Sequence, residues 1–474
     1  MENAIVLYPS PGIGHLISMV ELGKLILTHH PRFSITVLLI TTPPKRTNIT
    51  PNSTTQQQAT NSVAQYIAAV SATTPSINFH HLPQVSLPPD FNRSTPDTGF
   101  ELPRYNNPNL HHALLTISKT SKLKAFLIDF FCDAAFEVAA EQLKIPTYYF
   151  FTSSASGLAV FLKIPTIDSN ISIDIPNLPS IPFSSWPDPL VDRTTTVYKN
   201  FSKTATRMPN SHGIIVNTFE FLEKNALKAI SDGVCVPEGT RTPPVFCIGP
   251  LISTTGNESG EEQNKCLNWL DKQPKQSVVF LCFGSMGLFP SKQLKEIAIA
   301  LENSEQRFLW VVKNPPPDNQ NSEKIDGIDD ILPKGFLERT KDRGLVVRQW
   351  APQVAVLSHN SVGGFVTHCG WNSVLESVSA GVPMLAWPLY AEQKMNRLFM
   401  VEDVKVALAV NESEDGFVSA AELERRVREL MDSEKGREVR DRVLGLRDSA
   451  TAAMKDDGSS RAALNNLTEQ WCQN

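Results

Sequence analysis

The chain has 474 residues, too many for one hydrophobic core, so two domains of roughly 200 residues or a little more are the natural expectation. Its hydrophobic content of 41% is that of an ordinary globular protein, and a net charge of −5 with no basic block argues against nucleic acid as the main ligand. No apolar run approaches the roughly 20 residues of a membrane span, and Met1-Glu2-Asn3 lacks the positive region that opens a signal peptide.

Residues 4–8 are a short apolar run stopped by Pro9-Ser10-Pro11-Gly12-Ile13-Gly14-His15. Leu16, Met19, Val20, Gly23 and Leu27 then follow helical spacing. Strand, Gly loop, helix is the opening unit of a doubly wound α/β domain. Gly12-x-Gly14 is only part of a dinucleotide fingerprint, because Ile17 stands at the third glycine position; this disfavours a nicotinamide-dependent oxidoreductase. A second strand is expected at 33–40. Residues 41–74 are polar, rich in Thr, Asn and Gln, and are expected to contain a long mobile segment. Further strands fall at 125–129, ending in Asp129, at 147–151, followed by Thr152, and at 213–217 and 245–249. The Pro-rich stretch 163–192 can be neither regular helix nor central strand. A surface loop and a pocket wall are both open readings of it.

Residues 252–264 are polar, contain Gly and have no apolar period, as a linker does. A second α/β unit starts at 266–270. Strand 278–283 runs into Gly284-Ser285-Met286-Gly287; helix 291–302, strand 308–312, a long loop at 314–332 and strand 345–348 follow. Ser419-Ala420-Ala421-Glu422 is a capping box before a helix carrying Leu423, Val427 and Leu430, and the tail reads as helices. The seven Cys are scattered, with no C-x-x-C, as expected of reduced thiols in a cytoplasmic chain.

Several residues carry chemistry. His15 lies at the carboxyl end of the first strand, where ligands of open α/β sheets bind, and an imidazole is the best general base for a hydroxyl. Asp129 lies at another strand end and could orient that imidazole, although a helix N-cap is the alternative and Asp133 is a rival carboxylate. Gly284-Ser285 after a buried strand suits a phosphate oxygen. Residues 350–393 read WAPQVAVLSHNSVGGFVTHCGWNSVLESVSAGVPMLAWPLYAEQ. Within them a β-branched run to Thr367 meets His368-Cys369-Gly370-Trp371, and a helix expected from Asn372-Ser373 closes at Gly381. A helix N-terminus following a strand is an anion site, although Asn-Ser there also serves as a plain cap. The Trp350 face can stack on a base.

From Trp350 to Gln393 this stretch, 44 residues long, resembles the signature box of plant UDP-sugar-dependent glycosyltransferases of small molecules. The likeness runs over essentially the whole chain and is greatest to the branch acting on flavonoids, chalcones and related phenols. It implies the GT-B fold: two facing Rossmann-like βαβ domains with a cleft between them. An acceptor domain would span 1–250, a linker 251–265 and a UDP-sugar domain 266–455, with a last helix at about 456–474 returning to the first domain. It implies that His15 is the base and that Asp129, directly before Phe130-Phe131, is its partner. The Ala351 backbone would pair with uracil; Gln353 and Glu376 would hold ribose; Ser285, His368, Asn372 and Ser373 would hold phosphates. Glu392 and Gln393 would bind sugar hydroxyls beside Trp371, with Thr152 reaching the sugar and Gly14, Gly370 and Tyr390 completing the donor site.

No Asp-x-Asp or zinc-type cluster occurs, so neither metal nor cofactor beyond the UDP-glucose co-substrate is expected. No spare carboxylate is available as a covalent nucleophile, which favours a single inverting displacement. In the resembled family Gln at the place of Gln393 goes with glucose and His with galactose, and the uncharged Trp371 argues against glucuronate, so the resemblance implies UDP-glucose as donor. Phe130, Phe131 and Phe150 would line a pocket for a planar phenol, giving an O-glucoside, with attack through ring carbon left open. A monomer is expected. A non-catalytic nucleotide-sugar binder would need the box without the base, whereas His15 and Asp129 are both present.

Overall fold

A computed structural model of the chain describes all residues except 1, 42–53, 89–90, 92–96, 169, 254–260, 317–326, 329 and 474. The chain divides into two compact units. The first comprises Met1–Ser180, Pro189–Asn257 and Ala452–Asn474; the second comprises Ile181–Asp188 and Glu258–Thr451.

In the first unit the strands are β1 (Glu2–Tyr8), β2 (Phe33–Leu39), β3 (Ile77–His81), β4 (Ser121–Asp129), β5 (Thr147–Phe151), β6 (Ile214–Val216) and β7 (Val245–Cys247). Among the described residues they form one parallel sheet in the order β3-β2-β1-β4-β5-β6-β7. A parallel sheet covered on both faces demands apolar residues at every position. Hence residues 4–8 of β1 are all buried. The helix Ile13–His29 lays Leu16, Met19, Val20 and Ile26 on one face of this sheet. It approaches closely at Gly23, where a Cβ would lie 3.1 Å from Leu7 Cδ1.

The polar stretch 41–74 carries the expectation of a long mobile segment, which nothing in the described residues tests. Its part 42–53 lies outside the described residues, but Thr54–Thr73 is a helix. Tyr66 and Val70 of that helix, with Val63 and Ile67 beside them, enter the core. The last helix, Ser459–Gln473, also belongs to the first unit. It buries Leu464, Leu467 and Trp471, whose indole sits edge-on to Phe33 and Tyr148 at 5.8 and 6.0 Å.

The second unit repeats the plan with β8 (Val278–Cys282), β9 (Arg307–Val312), β10 (Gly344–Arg348), β11 (Val362–Thr367), β12 (Met384–Ala386) and β13 (Ala407–Ala409). Their order is β10-β9-β8-β11-β12-β13, again parallel. Helix Glu261–Leu270 begins inside the stretch read as linker, whose residues 254–260 are outside the described set, as is most of the 314–332 loop. Helix Ala420–Asp432 is capped as expected, Ser419 Oγ accepting from Glu422 N–H at 3.3 Å. The Glu422 carboxylate, however, accepts from Asn411 N–H and the guanidinium groups of Arg425 and Arg426. Among the described residues no helix is long and apolar enough to cross a membrane.

Candidate active site

Each unit gathers its polar side chains at its own topological switch point, the place where strands leave in opposite directions and a crevice opens at their carboxyl ends. In the first unit that place lies between β1 and β4. His15 follows β1 and Asp129 ends β4. His15 Nδ1 is 2.7 Å from Asp129 Oδ2, and Asp129 is fully buried while His15 keeps 28% of its side chain exposed. The other carboxylate oxygen, Oδ1, accepts from Phe131 N–H at 3.0 Å and caps a short helical turn. The two readings of Asp129, cap and imidazole partner, are therefore both true. A carboxylate cannot donate, so Nδ1 carries the proton and the basic lone pair lies on Nε2. Thr152 Oγ1 stands 3.1 Å from the same Nδ1. Gly12 allows the ring its place, since a Cβ there would meet His15 Cδ2 at 3.0 Å. Gly14 accepts from Ser18 Oγ at 3.0 Å through its carbonyl.

Asp133 is committed elsewhere. It accepts from Tyr149 Oη at 2.7 Å and from Arg207 at 2.9 Å, and burial raises its carboxyl against the pull of Arg207.

Aromatic rings wall the His15 side. Phe131 is edge-on to His15 at 5.5 Å and packs on Phe130 at 4.1 Å. Phe100, Phe151, Phe161 and Phe201, none of them singled out from the sequence, complete the cluster at 5.0–5.6 Å. Phe150 requires a correction. It lies in the sheet core with Leu127 and Ile215, because alternation along β5 turns Phe151, not Phe150, toward Phe130.

In the second unit the switch point lies between β8 and β11. Gly284 follows β8 with φ +69°; Ser285 beyond it is exposed. His368 follows β11, and its imidazole is 7% exposed. The ring lies between two glycines: a Cβ on Gly284 would be 2.6 Å, and one on Gly370 2.5 Å, from His368 Nε2. Burial, with the nearby Lys313 charge, holds this imidazole down to about 4, so it is neutral near pH 7. Its Nδ1 is buried without a hydrogen-bond partner among the described residues. The positive φ of the turn falls on Cys369, at +65°, whose carbonyl accepts from Asn396 Nδ2 at 3.0 Å.

Helix Trp371–Ala380 starts one residue before the expected Asn372, with Gly370 as its cap, and ends at Gly381 with φ +75°. Trp371 is buried, Asn372 partly exposed and Ser373 buried. Gln353 Nε2 donates to Ser373 Oγ at 2.9 Å and to Glu376 Oε2 at 2.6 Å, tying the start of the box to its central helix. Glu376 is partly exposed by area yet ringed by protein, and burial pushes its carboxyl up to about 7. Trp350 is 42% exposed, whereas Ala351 beside it is buried.

At the far end of the box, Gln393 Oε1 accepts from Leu389 N–H at 2.9 Å and Tyr390 N–H at 3.0 Å. Its carbonyl end is thus spent on the turn, and the buried side chain also bonds the Tyr390 hydroxyl. Ala391 holds φ +59°, and its N–H donates to Asp188 Oδ2 at 2.7 Å. Glu392 and Tyr390 are partly exposed. Among the described residues no group of three or more His, Cys, Asp or Glu is arranged to hold a metal ion.

Two doubly wound units, each holding its polar side chains at its own switch point, are the GT-B organisation of nucleotide-sugar transferases. Comparison with known proteins makes this specific. A profile described as UDP-glucoronosyl and UDP-glucosyl transferase matches residues 253–442. The chain is 54% identical to an anthocyanidin 5,3-O-glucosyltransferase of a Rosa hybrid cultivar, with 99% of each chain covered. It is 52% identical to isoflavone 7-O-glucosyltransferase 1 of Glycine max, with 100% of each covered. A solved structure of Phytolacca americana UGT2, complexed with UDP-2fluoro-glucose and pterostilbene, matches at a TM-score of 0.85 and 36% identity, covering 99% of this chain and 100% of that one. The chain belongs to the UDP-glycosyltransferase family and is one of its plant-type, family 1 members.

Proposed function

We propose that this enzyme moves glucose from UDP-glucose, with inversion, to a phenolic hydroxyl of a flavonoid or chalcone, with His15 as general base and Asp129 as its partner. The observation that carries the reading is the 2.7 Å bond from His15 Nδ1 to a fully buried carboxylate, which fixes the tautomer that leaves Nε2 basic. Nε2 takes the phenol proton as the oxygen attacks the anomeric carbon. The C–O bond to the diphosphate breaks, and UDP leaves with the electron pair. Asp129 stabilises the imidazolium that results. The aromatic cluster around Phe130 and Phe131 suits a planar acceptor. The names of the Rosa and Glycine relatives favour an O-linked product.

On the donor side, the exposed Trp350 would stack on uracil and the Ala351 backbone would pair with it. Gln353 and Glu376 would take the ribose hydroxyls. Ser285, His368, Asn372 and Ser373, with Gly370 giving space, would meet the diphosphate. Glu392 and the Gln393 amide would meet the glucose hydroxyls, near Tyr390 and Trp371; Thr152 and Gly14 would complete the site. Incubation with UDP-glucose and a panel of flavonoids should release UDP, and product NMR should show an O-glucoside. A panel that releases no UDP sinks the proposal, and a carbon-linked product would correct the linkage. Turnover should be unchanged in excess EDTA; loss restored by Mg²⁺ or Mn²⁺ would contradict the metal-free reading.

Glu376 makes a pH prediction. Ribose hydroxyls donate to the ionised carboxylate, so binding favours the charged form of a group that in the free site titrates at about 7. Affinity for uridine, which has no phosphate to titrate, should therefore rise with pH up to about 7 and level off above. Glu376→Gln should bind uridine more weakly and without that rise. An identical pH profile in the variant would remove Glu376 from the ribose site.

A further inference from the structure

Lys313 stands immediately after β9, at the carboxyl end of the second sheet, and belongs to no motif legible in the sequence. Its side chain is only partly exposed, and its Nζ donates to the Gly284 carbonyl. Among the described residues no carboxylate figures among the charges acting on it. Buried or half-buried ammonium groups are ordinarily paired, because desolvation of an unmatched charge is costly. Burial accordingly holds the Lys313 ammonium below its ordinary range. The carbonyl it grips belongs to the residue that packs against His368 Nε2. His368 is itself nine-tenths buried, with an unpartnered Nδ1. An unmatched cation and an unsatisfied imidazole thus share one glycine turn at one sheet end. The described residues there supply a positive charge that no ion pair neutralises; the Glu376 carboxylate, which shares the neighbourhood of Cys282, bonds to Gln353.

We propose that Lys313 is the countercharge and positioning residue of the diphosphate site. Its ammonium holds the Gly284-Ser285 turn open through the Gly284 carbonyl and supplies positive charge to the UDP leaving group. This rests on the placement of the diphosphate at Ser285 and His368 argued above. It accounts for how a site without a carboxylate cluster for a metal would meet the charge that builds as the anomeric bond breaks. Lys313 acts on the phosphates alone; the base and ribose of the nucleotide meet Trp350, Gln353 and Glu376.

The test compares UDP with uridine by calorimetric titration. In the wild type UDP should bind more tightly than uridine. Lys313→Met, which keeps the stem and removes the charge, should weaken UDP by roughly ten- to a hundredfold, the range of a lost charge-assisted hydrogen bond. Uridine affinity should stay within about twofold, which also reports that the variant is folded. Lys313→Arg, which keeps the charge, should retain most of the preference for UDP. If the wild type does not prefer UDP, the diphosphate placement itself falls. If the wild type prefers UDP and Lys313→Met prefers it equally, or if both ligands weaken together, only the role given to Lys313 falls.

Discussion

His15→Ala is expected to lower turnover of a phenolic acceptor ~10²–10⁴-fold while leaving UDP affinity unchanged. The fold should persist, because the side chain is part-exposed and Asp129 Oδ1 still caps Phe131 N–H when the imidazole is gone. The loss should shrink as the acceptor phenol becomes more acidic, because an oxygen already ionised needs no base. Asp129→Asn should be nearly as damaging for a geometric reason. The Phe131 N–H keeps the new amide's carbonyl, which turns its NH₂ toward His15 Nδ1 and drives the imidazole proton onto Nε2, the atom that must be free to accept. Asp133→Asn should act differently, weakening the links to Arg207 and Tyr149 and thus stability, with turnover per folded molecule retained. Steady-state rates for the three variants against phenols of graded acidity decide this. Wild-type turnover in His15→Ala would remove it as the base, and greater damage from Asp133→Asn than from Asp129→Asn would transfer the partner role.

The central strands of both sheets are readable in the sequence because parallel strands buried on two faces leave near-continuous apolar runs, and residues 147–151 match β5 end to end; the edge strands β3 and β13 are not so read. What escapes has physical causes. Helix Thr54–Thr73 carries its apolar stripe only from Val63 onward, and its polar first half has no period to read. Phe150 has the aromatic ring an acceptor pocket wants, but strand parity decides which face a ring takes. Phe100, Phe161 and Phe201 reach the cluster from helices far apart in sequence, and no local pattern announces such a meeting. Lys313 is a polar residue after a strand, a signal too common to notice. Gln393 lies in the box, yet its carbonyl is used on Leu389 and Tyr390, a local bond that residue type alone does not reveal. The glycines of the box are legible as a turn, but not why they are needed: at Gly370 φ is −64°, which any residue adopts, and the positive φ falls on Cys369. Gly370 is required for space.

That distinction sets the second large effect. Gly284→Ala should weaken UDP binding about a hundredfold and Gly370→Ala about tenfold. Each new Cβ would stand 2.5–2.6 Å from His368 Nε2, far inside ordinary contact. The ring is too buried to move freely, and on the proposed donor site its displacement would lose contact with the diphosphate. Overpacking of this kind costs about 1–3 kcal/mol. Gly284 adds a left-handed backbone, φ +69°, that costs a further ~1–2 kcal/mol for alanine. These are costs to the folded state and reach UDP affinity through the displaced ring, each ~1.4 kcal/mol of lost diphosphate contact being tenfold. Uridine binding should hardly change in either variant, because Trp350, Gln353 and Glu376 are untouched. The decisive control places His368→Ala on the Gly370→Ala background. Removing the ring removes the collision, so thermal stability should recover while UDP affinity does not. If UDP affinity recovers as well, the collision alone weakened binding, and His368 has no part in holding the diphosphate.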